Sequence, residues 1–224
     1  MKVSHRFVVI AVLFVTCLIT ANIMAVRLIS MPGTFSALPA AIIIFPLSYI
    51  IGDVLTEVYG YRQARRVIWL GFLCNFIAVG AFWVGGLLPS IIPEVQDAYP
   101  VIFGYAWRIL LASFIAYLMG EFSNSIVLAK MKIRTSGRYL WARTIGSTVI
   151  GQGLDSAVFI LIAFTGVLPL GDLGLMILTH WLFKTTYEVV ATPFTYGIVN
   201  YLKKKEGIDT YDKGVNFNPL LITD

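Results

Sequence analysis

Charged residues are scarce in this 224-residue chain: Asp, Glu, Lys and Arg make up 13% of it, against about 25% in soluble domains. Hydrophobic residues reach 58% and the mean hydropathy is +0.82. So little polar surface cannot cover a water-exposed globule, which leaves lipid as the solvent. Cysteine is nearly absent. Cys17 and Cys74 both sit inside apolar runs with no CxxC spacing and no His neighbour, so they read as filler rather than as a disulfide or metal site. The chain also lacks G-x-S-x-G, H-E-x-x-H and P-loop patterns. His180 is the only histidine at membrane depth; Lys184 and Glu188 share its face, but no nucleophile does. These absences point away from an enzyme: no catalytic residue, no metal ligand and no cofactor are expected.

Long apolar runs are what the chain has. Six can be marked, at about 7–29, 37–59, 67–88, 107–128, 144–168 and 173–202, each long enough to cross a bilayer as a helix. The breaks carry turn chemistry: Met31-Pro32-Gly33-Thr34, Gly60-Tyr61-Arg62, the stretch 89–100, the stretch 130–143, and Pro169-Leu170-Gly171-Asp172. The first run follows a basic start, as a secretory leader would. It is longer than the usual leader core, carries Asn22 and ends at Arg27, so it is read as a retained span. The expected architecture is an all-α polytopic membrane bundle of six transmembrane helices over 1–202, followed by a basic-to-polar cytoplasmic tail over 203–224.

The net charge of +5 would suit nucleic acid if it formed one patch. Instead Lys2 and Arg6 precede the first span; Arg62, Arg65 and Arg66 lie between the second and third. Lys130, Lys132, Arg134, Arg138 and Arg143 lie between the fourth and fifth, and Lys203, Lys204, Lys205 and Lys213 follow the sixth. These are fourteen of the 17 Lys and Arg. The intervening loops carry Glu94, Asp97 and Asp172. The positive-inside rule accommodates this split only with an even number of spans and both termini in the cytoplasm. The basic excess therefore reports topology and contact with the lipid bilayer, with no nucleic acid partner. Aromatics near the span ends (Tyr49, Tyr59, Tyr61, Trp69, Trp83, Tyr105, Trp107, Tyr139, Trp141, Trp181, Tyr201) form an interface belt or pocket walls.

The remaining polar residues are stranded at membrane depth: Asn22, Arg27, Asp53, Glu57, Asn75, Arg108, Glu121, Asn124, Gln152, Asp155, His180, Lys184 and Glu188. A charge near the bilayer centre costs about 2.5–3.5 kcal/mol on insertion scales, so these groups persist only by facing one another or a wet cavity. Asp53 and Glu57 share a helix face, as do Glu121 with Asn124, Gln152 with Asp155, and His180 with Lys184 and Glu188. Asp155 lies 16 residues before Gly171 and Lys184 lies 13 after it. At about 1.5 Å per residue both sit roughly 20–24 Å from the turn, which makes Asp155–Lys184 the expected ion pair. Arg27 and Arg108 fall near the outer ends, as snorkelling groups or at the mouth of a site. Glu57 borders the cytoplasmic surface, where it could simply be solvated. Pro39 and Pro46 in the second span and Pro193 in the sixth are expected to kink their helices.

The stretch FPLSYIIGDVLTEVYGYRQARR at 45–66 resembles the hallmark of the bacterial queuosine precursor transporters, a family of vitamin-uptake-like membrane proteins. Ala21-Asn22, Arg108 with Ala112-Ser113-Phe114, GQGLDS at 151–156, Lys184, Pro193 and EGIDTYDKGVNFNP at 206–219 extend the resemblance over nearly the whole chain. It implies import of 7-cyano- or 7-aminomethyl-7-deazaguanine across the bacterial inner membrane for tRNA queuosine salvage, by a secondary transporter. The candidate substrate-binding residues are Asn22, Asp53, Arg108, Glu121, Gln152, Asp155, Lys184 and Glu188. Carboxylates can accept the paired N–H donors of a guanine-like edge, and carboxamides can meet its other polar atoms. The alternative is the substrate-binding subunit of an energy-coupling-factor vitamin importer, for which Ala21 and Ala25 would give a small-xxx-small docking face. A homo-oligomer is left open.

Overall fold

The computed structural model describes residues 4–25, 27–29, 38–103, 107–166 and 169–221, with the backbone alone for 28, 38 and 107–110. Among these residues the protein is helical apart from one two-residue antiparallel bridge, Leu28–Ile29 (β1) against Leu38–Pro39 (β2). Helix α1 (His5–Met24) starts at Ser4, whose hydroxyl accepts from the Phe7 amide at 3.1 Å. It buries one face, Ala11, Phe14, Leu18 and Ala21, and leaves the other for lipid. A 3₁₀ turn (Ala40–Ile43) leads into α2 (Phe45–Tyr59), the most enclosed helix of the bundle. Then follow α3 (Tyr61–Gly86), short α4 (Pro93–Phe103), α5 (Trp107–Arg134), α6 (Leu140–Phe164) and α7 (Leu170–Glu206).

Among the described residues, five helical stretches are long and apolar enough to cross a membrane: His5–Met24, Ala40–Tyr59, Tyr61–Gly86, Leu111–Arg134 and Leu140–Phe164. Helix α7 has the length, 37 residues, but its polar stripe of His180, Lys184 and Glu188 dilutes its hydropathy. Helix α4, unexpected within the 89–100 break, buries none of its residues and rests on the end of α3 through Tyr99 and through Phe103 against Phe82.

The starts of α1, α3 and α6 meet the ends of α2, α5 and α7 at one end of the bundle. Arg6 pairs with Glu206 there at 3.2 Å. Beyond Gly207 the chain is a docked strap, not a solvated tail. The Thr210 amide donates to Val58 O at 3.3 Å, and both Asp212 carboxylate oxygens accept from the Tyr61 amide at 3.0 Å. Further on, Arg65 donates to Asn216 O and Asn218 O, and Trp69 Nε1 to Pro219 O.

Several boundaries differ from the sequence reading, each for a local reason. The first span ends at Met24, because Arg27–Ile29 turn into the β bridge. The second begins as α-helix only at Phe45. Pro46 occupies its first turn, where no backbone hydrogen bond is lost, and Pro39 caps the 3₁₀ turn, so neither kinks a span. Pro193 does lie inside α7. The turn between α2 and α3 is Gly60 alone, so Arg62, Arg65 and Arg66 are helical and Arg65 is buried. Of the aromatics near span ends, Tyr49, Tyr59 and Tyr61 are core residues, whereas Trp83, Tyr139, Trp141 and Tyr201 are exposed.

Gly60 holds φ +85° and ψ 164°, a region open essentially to glycine alone, and a Cβ there would lie 2.6 Å from Thr210 Cγ2 and 2.9 Å from Asp212 Oδ1. Gly60→Ala should therefore cost about 1–3 kcal/mol and displace the strap. Thermal unfolding in detergent checks this; an unchanged midpoint would show that the strap does not bear on the turn.

Candidate functional site

The site is built where two helices approach too closely for side chains. At the α5–α6 crossing, a Cβ on Gly120 would lie 3.1 Å from Gly151 O and 2.8 Å from Asp155 Cβ; one on Gly151 would lie 2.7 Å from Asn124 Cβ. Glycine at both positions lets the backbones touch, as small residues do in membrane bundles. The polar residues beside them, Glu121 and Asn124 on α5 and Gln152 and Asp155 on α6, are thereby pressed into the bundle interior.

Above this crossing, toward the end away from the termini, lies a cavity of about 640 Å³ counting its open mouth. Its walls come from the last turns of α1, the 3₁₀ turn, mid-α3, the upper parts of α5 and α6, and the first half of α7. Lys184 Nζ and Asp155 Oδ2 meet in it at 2.6 Å, both nearly buried. The expected pairing is thus formed. Lys184 also stands 4.6 Å from the centre of the Phe45 ring, a cation–π contact that helps to hold a poorly solvated ammonium. Opposite, Asn22 Nδ2 donates to Asn75 Oδ1 at 2.8 Å. Tyr117, Phe159, Ser113 and His180 complete a wall that is apolar with a few polar groups, the usual character of a small-molecule site.

Below the cavity, α2, α5, α6 and α7 enclose a second polar layer. Asp53 Oδ1 accepts from Asn124 Nδ2 at 2.6 Å, but Asp53 Oδ2, both oxygens of Glu121 and Glu188, and both polar atoms of Gln152 have no hydrogen-bond partner among the described residues. All are buried.

A third layer closes the bundle at the terminal end. Glu57 is 0% exposed. Arg143 donates to both its carboxylate oxygens at 2.7 Å, Lys203 to Oε1 at 2.5 Å, and Lys132 Nζ stands 3.4 Å from Oε1. Lys132 and Lys203 also hold Asp209 of the strap, at 2.5 and 2.9 Å. Burial pushes the Asp209 carboxyl up, but hydrogen bonds from the two lysines outweigh it and bring its pKa below the usual value. From sequence Glu57 is either a group stranded at membrane depth or simply solvated; in the structure it is buried and, among the described residues, the carboxylate met by the most cations. Its partners looked like topology markers, and no local pattern ties them to Glu57.

A family model described as "putative vitamin uptake transporter" matches residues 39–198. The chain belongs to that family. A curated relative of this transporter, the "probable queuosine precursor transporter" of Bacillus subtilis (strain 168), is 28% identical over 193 residues, covering 84% of this chain and 82% of that protein. No solved structure matches it.

The expected site residues of this transporter separate into groups. Asn22, Asp155 and Lys184 line the cavity. Asp53, Glu121, Gln152 and Glu188 come together, but in the layer beneath, and none lines the cavity. The side chain of Arg108 lies outside the described residues, and Arg27 is exposed. Tyr117 and Phe159, which line the cavity, were missed because an aromatic in an apolar run carries no signal of which way it points.

Removing one partner of a buried pair costs about 3–5 kcal/mol. Lys184→Ala and Asp155→Asn should each destabilise the protein, and the double variant Asp155→Asn/Lys184→Ala should cost less than their sum. Thermal unfolding of the three variants in detergent reads the coupling; strictly additive shifts would contradict the contact.

Proposed function

We propose that this transporter imports 7-deazaguanine precursors of queuosine, such as 7-cyano- or 7-aminomethyl-7-deazaguanine, across the bacterial inner membrane as a secondary transporter. The observation that carries the reading is the Asp155–Lys184 pair inside an aromatic-walled cavity. A carboxylate there can accept two N–H donors from a guanine-like edge, the ammonium can donate to its carbonyl oxygen, and Phe45 or Phe159 can cover the flat ring. Substrate would then replace one half of a resting ion pair. The name of the Bacillus subtilis relative supports the substrate class.

The topology that suits this role counts α7 as a sixth span and places the terminal end in the cytoplasm. Lys130, Lys132, Arg134, Arg138 and Arg143 gather at that end, and Glu94, Asp97 and Asp172 lie toward the other. On that reading the cavity faces outward while the Glu57 cage and the strap close the cytoplasmic side, one of the two states that alternating access requires. The energy-coupling-factor alternative gains nothing from Ala21 and Ala25, which line the cavity instead of presenting an outer docking face.

The test is uptake of radiolabelled 7-cyano-7-deazaguanine into proteoliposomes containing this chain alone. Wild type should accumulate label, and Asp155→Asn and Lys184→Ala should each lose tenfold or more, about 1.4 kcal/mol per tenfold. Unchanged uptake in both folded variants would remove the pair from the site. Uptake only with added ATPase subunits would favour the energy-coupling-factor reading.

A further inference from the structure

The layer beneath the cavity holds three carboxylates, Asp53, Glu121 and Glu188, with no cation paired to them among the described residues. Lys184, one turn from Glu188, is engaged by Asp155; Arg143, Lys132 and Lys203 are engaged by Glu57. The carboxylates lie within electrostatic reach of one another: Asp53 feels Glu188, Glu121 and Glu57, and Glu121 feels Asp155. Three buried carboxylates, of which Glu121 and Glu188 act electrostatically on Asp53, and none with a counter-ion among the described residues, cannot all remain ionised.

A second, independent observation shows how this layer connects to the cavity. The Tyr49 hydroxyl is fully buried and has no hydrogen-bond partner among the described residues. It sits against the α-carbon of Gly120, where a Cβ would collide with both it and Asp155 Cβ. It makes no hydrogen bond to Asp155, Glu121 or Asp53 in this state, but all three carboxylates act on it electrostatically. A hydroxyl donates and accepts at once, so it can pass a proton between the cavity carboxylate above and the acidic layer below. Gln152 on α6 is also buried, with both polar atoms unpartnered among the described residues. From α5 the layer is faced by Asn124 and Tyr117, and from α7 by Lys184 and, farther up, His180.

We propose that Asp53, Glu121 and Glu188 form a proton-binding site, linked to the cavity through the Tyr49 hydroxyl, and that a proton carried there is co-transported with the substrate. Among the described residues no group of three His, Cys, Asp or Glu side chains converges closely enough to hold a metal ion, which favours a proton over a metal cation as the occupant. In the cavity-open state the proton enters by way of Asp155 and Tyr49 and rests on the layer. After the switch it leaves toward the terminal end, where Glu57 lies next along α2 from Asp53. One proton and one substrate molecule move inward per cycle. The proposal rests on the import reading above and adds its driving force.

Two measurements test it. The first uses proteoliposomes of the full chain with the membrane potential clamped and 7-cyano-7-deazaguanine as probe. One pH unit, alkaline inside and worth about 1.36 kcal/mol per proton, should support about tenfold accumulation. Substrate addition should acidify the lumen, and Glu188→Gln should make uptake insensitive to the gradient. Equal wild-type accumulation with and without the gradient, or accumulation driven by sodium instead, overturns the proposal and leaves the import reading standing. The second needs no substrate: the infrared band of protonated carboxyl groups should be present in the wild type at neutral pH and diminished in Glu121→Gln and Glu188→Gln. Absence of uptake in the wild type overturns the import reading, and absence of that band then overturns the proton site on its own.

Discussion

Glu57 has no exposed surface and is met by Arg143, Lys203 and Lys132, two of which also hold Asp209 of the strap. A carboxylate cannot stay ionised in such a place without cations around it, and cations cannot gather there without it. The ends of α2, α5 and α7 and the start of α6 are therefore tied to a single point. The strap extends the tie across Gly60 to α3 through Asp212, Arg65 and Trp69. The cavity lies toward the other end.

The scarcity of charge in the sequence acquires a spatial meaning in this arrangement. Most of the basic residues sit at the terminal end, and among the described residues Lys184 is the one that lines the cavity. Asp155 takes it, and the three carboxylates of the next layer have no counter-ion among the described residues. The bundle thus carries three polar levels along its axis: an ion pair open to a ligand, an uncompensated acidic layer, and a fully compensated cage. A transporter that seals one end while it loads the other has use for such a gradient of charge compensation. The closed end is also the one with the strongest electrostatic contacts.

Much of this was legible in the residues. Apolar runs separated by turn chemistry located the long helices, because length and hydropathy are local properties. The Asp155–Lys184 pair followed from counting residues to the hairpin turn, since a fixed rise per residue makes depth a property of sequence. Helix ends were less legible. The runs at 61–66 and 130–134 are polar, so they looked like loops, yet α3 and α5 continue through them and the strap meets Tyr61, Arg65 and Lys132. Pro39 and Pro46 looked like kinks, because nothing in their neighbourhood shows that the α-helix begins only after Pro39.

Sequence by itself determined that the chain lives in lipid, which residues are too polar for that solvent, and the register of those residues along each helix. Each of these depends on composition or on spacing within one helix. Which polar residues meet across helices was decided by tertiary structure alone. The Gly120–Gly151 crossing presses α5 against α6, and that contact separates Asp155, which reaches the cavity, from Gln152, which lies one turn away and does not. The same holds for Glu57, whose partners come from three other helices, 75, 86 and 146 residues along the chain. No pattern within one helix encodes a meeting point of four, because the desolvation that makes the pairing necessary exists only once the helices have closed around it.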